Sequence, residues 1–179
     1  MADPFILTKV LAEEDISHLH KLYVSLKGKN LAQDHNLYNV TKKTLPVTSP
    51  ALSQVTVKLR DYSKMDINVM YFLKYKEGAF AKMHVDNPDR HIKTCITMIH
   101  TSNNLIGGDS LIYKVLEKDD MKPWPIVPPG KKFDSTGKPV IPIIVKQPVG
   151  TSLWYDKNTM HGVSRVEQGM RIVLVTWFG

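Results

Sequence analysis

The stretch Arg171-Ile172-Val173-Leu174-Val175-Thr176-Trp177-Phe178 decides the fold class. Successive side chains on a strand point to opposite faces. Arg171, Val173, Val175 and Trp177 therefore form one row, and Ile172, Leu174, Thr176 and Phe178 the other. Both rows are apolar, which predicts a strand buried on two sides. Arg171 breaks the pattern, since a guanidinium in a core is costly unless an anion meets it. Glu167 is close enough in sequence to be a plain structural partner. The alternative is a ligand, a small dicarboxylate whose far carboxylate takes two parallel hydrogen bonds from the arginine.

Upstream, the turn at Gln168-Gly169 places a segment beginning Met160-His161-Gly162-Val163 beside this strand. From residue 54 onward short runs rich in Val, Ile, Thr, Tyr and Phe are divided by Gly, Asn, Asp and Pro, the pattern of an antiparallel sandwich or barrel. Strands are expected near 54–60, 68–75, 80–86, 94–100, 109–115, 140–146, 151–155, 160–166 and 171–178, eight of them from residue 68 onward. Pro123, Pro125, Pro128, Pro129 and Pro139 around Trp124 mark 117–139 as an inserted loop or edge arm, because proline removes ladder donors. Ile16, Leu19, Leu22, Tyr23 and Leu26 recur at spacings of three and four, which predicts an amphipathic helix over 12–27. The polar stretch 28–52 reads as a long connection with room for a short helix. The expected organisation is one domain over 1–179, with 1–53 as helical and loop support and 54–179 as a β core carrying the insertion.

The length of 179 residues suits one compact domain. With 42% hydrophobic and 23% charged residues the composition is that of a soluble globular protein, and no apolar run approaches the roughly 20 residues needed to cross a bilayer. The opening residues do not read as a secretory signal. A single cysteine, Cys95, forms no internal disulfide framework and no thiolate zinc site, which points to a reducing compartment and a cytoplasmic location. The net charge of +7 favours acidic partners, but the lysines are dispersed, so a solvated basic surface is the better reading than a nucleic-acid footprint.

His84 and Asp86 stand two apart in Ala79 to Asp86, a segment suited to a strand, where they project from one face. Two histidines and one carboxylate on one face of an octahedron form the usual protein donor set for iron(II) in oxygenases, with the remaining positions open. The pair is weak evidence without a third ligand. His18 and His20 share no helix face, His35 and His91 fall in connections, and His100 ends a strand. His161 is placed beside the last strand and completes the set, and with the triad in hand the ligand reading of Arg171 prevails over the pairing with Glu167.

These residues make the chain recognisable. Tyr75-Lys-Glu-Gly78-Ala-Phe80-Ala-Lys-Met-His84-Val-Asp86-Asn87-Pro88, then Thr94-Cys95-Ile96, Gly107-Gly108, His161, and Arg171 with Trp177 six further on, resemble the 2-oxoglutarate oxygenases of the prolyl hydroxylase superfamily. The likeness is nearest to intracellular oxygen-sensing-type prolyl hydroxylases and their bacterial and viral relatives, and covers about 68–179. It implies a mainly β protein, a double-stranded β-helix of the jelly-roll or cupin kind with an N-terminal helix packed on one sheet. It implies iron(II) held by His84, Asp86 and His161, and 2-oxoglutarate anchored by Arg171, with Tyr75 near the co-substrate and Trp177 inward on the last strand. A tyrosine and a threonine that commonly support the distal carboxylate fall here at Met98 and Val175, so Tyr113 or Thr97 is expected to meet it from another side. Asn87 is a candidate for orienting the Asp86 loop. The implied reaction uses O2, with ascorbate to sustain activity, and hydroxylates a protein or peptide at proline. The substrate would lie across the His84 strand under loops 61–67 and 117–139, and the protein would be a monomer or weak dimer.

Two rivals have sequence handles. Nucleic-acid demethylases of this chemistry show two arginines six apart, as are Arg165 and Arg171, but these lie too close to His161 to match. A binding module that has lost turnover would be expected to have lost a ligand. Cys95 reads as a small core residue, Asn39-Val40-Thr41 as a chance glycosylation match, and Trp124 as a pin for the insertion.

Overall fold

Helix α1 (Glu13–Ser25) forms where the apolar spacing places it, and buries Ile16, Leu19 and Tyr23. Asp15 lies in its first turn and accepts the Ala12 N–H at 2.8 Å, closing an orphan donor at the helix start. The same carboxylate takes a 2.6 Å hydrogen bond from Lys58 Nζ. Lys58 belongs to a second helix, α2 (Ser53–Ser63), where a strand was expected over 54–60. Val55 and Val57 suggested alternation, yet Val57 is 55% exposed while Leu52, Val55, Thr56 and Leu59 are buried, a helical period. The computed structural model describes residues 4–34, 36–86, 89–116, 132–133 and 137–179, with the side chains of 32–34 and 132–133 outside that description. His35, Asn87 and Pro88 lie outside the described residues, as do Trp124 and most of the expected insertion 117–139.

The strands are β1 (Ile6–Thr8), β2 (Lys29–Asp34), β3 (Leu37–Thr44), β4 (Ile67–His84), β5 (Lys93–Thr101), β6 (Ile106–Gly107) and β7 (Ser110–Val115). They continue with β8 (Lys132–Phe133), β9 (Pro139–Val145), β10 (Ser152–Asp156), β11 (His161–Val163), β12 (Val166–Gln168) and β13 (Met170–Phe178). The polar stretch 28–52 thus holds a hairpin, β2 with β3, where a long connection was expected, and the short helix for which it left room is a single 3-10 turn at Pro50–Leu52. Its charged and polar side chains suit the rim of a sheet, which is why it carries little apolar signal. Expected strands 68–75 and 80–86 are one strand, β4, which runs through Gly78 at φ +81° and stops at His84. The expected strand 160–166 is interrupted, giving β11 and β12.

Strand order along the curled antiparallel sheet is β1-β10-β5-β13-β4-β11-β7-β9-β8, with β3 also pairing β4, and β12 pairs β6 separately. Strand β4 turns the corner. Residues 67–76 pair with β13, whereas Ala81 and His84 pair with β11, so the two halves of one strand serve the two walls of a double-stranded β-helix. Strand β13 lies between β5 and β4 and is buried on both faces, as its sequence predicts. Its Ile172, Leu174 and Phe178 pack with Met70, Phe72, Cys95 and Ile99 under α1 and α2. Its Val173 and Val175 face inward with Leu73, Tyr75 and Met98.

Candidate metal centre

His84 and His161 are ladder partners, the last residue of β4 opposite the first of β11. Their ring centroids are 4.3 Å apart. Gly162, next along β11, permits this approach, because a Cβ there would stand 2.9 Å from the Ala81 carbonyl oxygen. Each ring turns Nδ1 to a carbonyl two residues back, His84 to Lys82 at 2.7 Å and His161 to Thr159 at 2.9 Å. A carbonyl only accepts, so each Nδ1 carries a proton and each Nε2 is the ring atom turned away from the backbone. Both Nε2 atoms stand 3.6 Å from Asp86 Oδ1. Donor atoms bound at about 2.1 Å to one first-row ion lie no more than about 4.2 Å from each other, and these two separations fall inside that limit.

Asp86 lies two residues beyond the end of β4, not on the strand where it was expected, yet its carboxylate still meets both imidazoles. Burial pushes its pKa upward, but hydrogen bonds and charge from His161 and His84 outweigh that and hold the carboxyl well below the usual range. It is an anion at neutral pH. Two imidazoles, one carboxylate and no thiolate make an iron-type donor set, and the residues fit that group.

The triad opens into a cavity of about 350 Å³ that also takes in Arg171. That size suits a small ligand. Arg171 is 1% exposed. Its Nη1 donates to the Gly108 carbonyl, its Nη2 to Ser110 Oγ at 3.2 Å, and its guanidinium carbon stands 5.4 Å from the Tyr75 ring centroid. Gly108 adopts φ +67°, and a Cβ there would sit 2.8 Å from Val166 Cγ2, so only glycine delivers that carbonyl without strain. Burial lowers the Arg171 pKa, while Tyr75, Asp109 and Tyr155 act to raise it. Among the described residues no carboxylate forms an ion pair with Arg171. Glu167, the structural partner considered above, is exposed.

Tyr75 faces Arg171 across the β4–β13 ladder, and burial pushes its hydroxyl up to about 12, so it is a neutral donor. Trp177 also lines the cavity. The other two expected residues do not. Thr97 shares the face of Cys95 and hydrogen-bonds Ser152 Oγ at 2.8 Å, away from the cavity. Tyr113 is buried on β7, where Ser110 and Ile112 supply the lining instead. Of the two expected cover loops, 61–67 contributes nothing to the lining, since Asp61–Ser63 close α2. Among the contributors that escaped sequence reasoning are Ser110, Tyr71 and Tyr155. Ser110 follows Gly107-Gly108 as an ordinary small residue. Tyr71 is two positions along from Leu73 on the inward row of β4, and Tyr155 sits on β10 with its ring centroid 4.6 Å from that of His161. Burial raises both phenols far above their ordinary pKa.

No protein-family profile matches the sequence, and no curated protein matches it at a significant level. Its fold is that of solved 2-oxoglutarate oxygenases. A 2OG-Fe(II) oxygenase family oxidoreductase from Burkholderia pseudomallei superposes with a TM-score of 0.69 at 14% identity, over 98% of this chain and 85% of that one. A prolyl hydroxylase from Trichoplax adhaerens, in complex with a hypoxia inducible factor peptide fragment, gives 0.66 at 12%, over 99% and 84%. HygX from Streptomyces hygroscopicus, with nickel, 2-oxoglutarate and hygromycin B bound, gives 0.64 at 13%, over 98% and 82%.

Proposed function

We propose that this protein, as one domain over 1–179, is an iron(II)- and 2-oxoglutarate-dependent dioxygenase that hydroxylates a protein or peptide at proline. One observation carries the reading: Arg171 is a fully buried cation whose described hydrogen-bond partners are neutral, in the same cavity as the His84, Asp86 and His161 triad. A buried cation of this kind costs several kcal/mol unless an anion completes it. A dicarboxylate reaching from Arg171 to the metal ligands supplies the missing charge.

The chain's own residues then act as follows. His84 and His161 present Nε2 and Asp86 presents Oδ1 to the metal. Bound iron(II) supplies the activation of O2 that couples oxidative decarboxylation of 2-oxoglutarate, to succinate and carbon dioxide, with hydroxylation of a C–H bond. Arg171, steadied by Ser110 Oγ, binds the far carboxylate, and Tyr75 offers that carboxylate a neutral hydroxyl. Leu73, Val173, Val175 and Ile112 keep water from the co-substrate.

Proline as target is supported by the His84-Val-Asp-Asn-Pro88 run and by the Trichoplax adhaerens hydroxylase with its peptide. A small-molecule substrate is the second reading, favoured by HygX with hygromycin B. We further propose an intracellular monomer or weak dimer. Among the described residues no helix is long and apolar enough to cross a membrane. The test is purified protein with iron(II), ascorbate and 2-oxoglutarate, assayed for succinate, then incubated with proteome-derived peptides and scanned by mass spectrometry for a gain of one oxygen. Oxygen on proline is expected. Oxygen on another side chain or on a small molecule would keep the chemistry and replace the substrate, and no succinate under any substrate condition would end the enzymatic reading.

A further inference from the structure

The three ligands are not held alike. His84 and His161 are fixed by strand pairing with each other and by backbone carbonyls at their Nδ1 atoms. Asp86 stands beyond the end of β4 with no ladder partner among the described residues, and side chains face its carboxylate instead. Its two oxygens face different company. Oδ1 is turned to both imidazoles at 3.6 Å, whereas Oδ2 receives a hydrogen bond from Thr94 Oγ1 at 3.2 Å and faces His91 Nε2 at 3.8 Å.

His91 is itself anchored. Its side chain is fully buried and lies flat on Trp177, with centroids 4.6 Å apart and planes 13° from parallel. Both neighbours in the chain are tied to other elements: Asn68 Nδ2 donates to the Arg90 carbonyl at 3.1 Å, and the Ile92 N–H donates to the Phe178 carbonyl at 2.6 Å. A phenylalanine would make the same stack at lower desolvation cost. What an imidazole adds is a polar edge, and that edge is turned to Oδ2 of Asp86.

We infer that His91, together with Thr94, is a positioning residue of the metal centre, holding Oδ2 of Asp86 so that Oδ1 alone is presented between the two ligand imidazoles. This rests on the metal-centre reading above. Partners of this kind behind a ligating carboxylate fix its direction, and losing one typically weakens metal binding about 10- to 100-fold.

Cobalt(II) is the probe, because its visible spectrum reports coordination and its binding needs no turnover. In anaerobic titrations of metal-free protein, His91→Phe is expected to keep the stack on Trp177 and the wild-type circular dichroism. It should bind cobalt(II) 10- to 100-fold more weakly, with a shifted visible spectrum. His91→Gln, which returns a donor to that edge, is expected to recover part of the affinity, and Thr94→Val to lose affinity less than additively with His91→Phe. Wild-type affinity and spectrum in His91→Phe would overturn the inference, as would a His91→Gln no better than His91→Phe, since packing alone then explains the residue. If His91→Phe does not fold, His91→Leu takes its place, and wild-type affinity and spectrum in His91→Leu and Thr94→Val would overturn it. A His84→Ala variant separates the two readings: cobalt(II) binding that survives it overturns the metal centre, and this assignment falls with it.

Discussion

On one side of β13, Ile172, Leu174 and Phe178 meet Leu19, Leu59 and Phe72 in a sealed apolar layer beneath two helices. On the other, one residue along the same backbone, Arg171, Val173, Val175 and Trp177 line an open cavity with a buried cation and a three-residue donor set. A filled layer gains from every methylene it buries, about 0.8 kcal/mol each. A cavity forgoes that gain and adds the cost of desolvating charge. The two faces of one strand therefore carry stability and chemistry separately, and substitutions one residue apart should have effects of different kinds.

Asp86→Ala is the largest expected change. It should abolish succinate formation and weaken metal binding by more than about 100-fold, while far-ultraviolet circular dichroism stays that of the wild type. Leu174→Ala should do the reverse, costing about 2–5 kcal/mol in urea unfolding because Leu174 is fully buried, with metal affinity unchanged. Cobalt(II) at a hundred times the wild-type Kd should then raise stability by about 2.7 kcal/mol in both wild type and Leu174→Ala, and by no more than about 0.4 kcal/mol in Asp86→Ala. A Leu174→Ala protein that lost metal affinity as well would show the two faces to be coupled.

A gentler pair of substitutions moves a hydroxyl across the strand. Thr176 Oγ1 is buried on the helix side with no hydrogen-bond partner among the described residues, so Thr176→Val should stabilise by about 1 kcal/mol and leave the 2-oxoglutarate KM alone. Val175→Thr places the hydroxyl in the cavity instead, where it should lower that KM by up to about fivefold, the worth of a modest hydrogen bond. Initial-rate assays and urea unfolding separate the outcomes.

The smallest expected effect concerns His100, which stacks on His20 of α1 at 4.4 Å. Burial and His20 lower its pKa in the folded state. Above the unfolded value, about 6.5, the histidine is neutral in both states and contributes no pH dependence. As pH falls below it, the unfolded chain takes up the proton first and stability declines. Urea unfolding at pH 7.5 and 5.5 should show a smaller decline in His100→Gln than in the wild type, and an equal decline would dismiss the stack as a pH-sensitive contact.

What could be read from the chain follows the same division. The alternation of β13 was legible because both rows are mostly apolar and only Arg171 brings a charge into them. His84 and Asp86 could be picked out because they are close together, whereas His161 was chosen for a place beside β13 that it does not have: β11 pairs with β4 and β7, and β4 is what brings it to His84. Helix α2 was not, because β-branched Val55, Thr56 and Val57 imitate a strand until burial shows which face is used. Thr97 was misassigned although its parity with Cys95, already read as core, places both on the helix side. Tyr155 was invisible for a different reason: Leu153, Trp154 and Tyr155 are all large and buried, so nothing in that run marks which residue faces the cavity.

The place of β13 between β5 and β4 has a consequence for synthesis. The strand at the centre of the wall is made after both of its neighbours, and so is inserted between strands already synthesised. Until it arrives, β4 and β5 each present a long unpaired edge with apolar side chains on both faces, the kind of surface by which nascent chains capture one another. Arg171 arrives on the same strand, so closing the sheet and burying this cation beside the cavity are one event. A polypeptide interrupted before that point would be a sticky fragment in need of a chaperone rather than a feeble version of the finished protein.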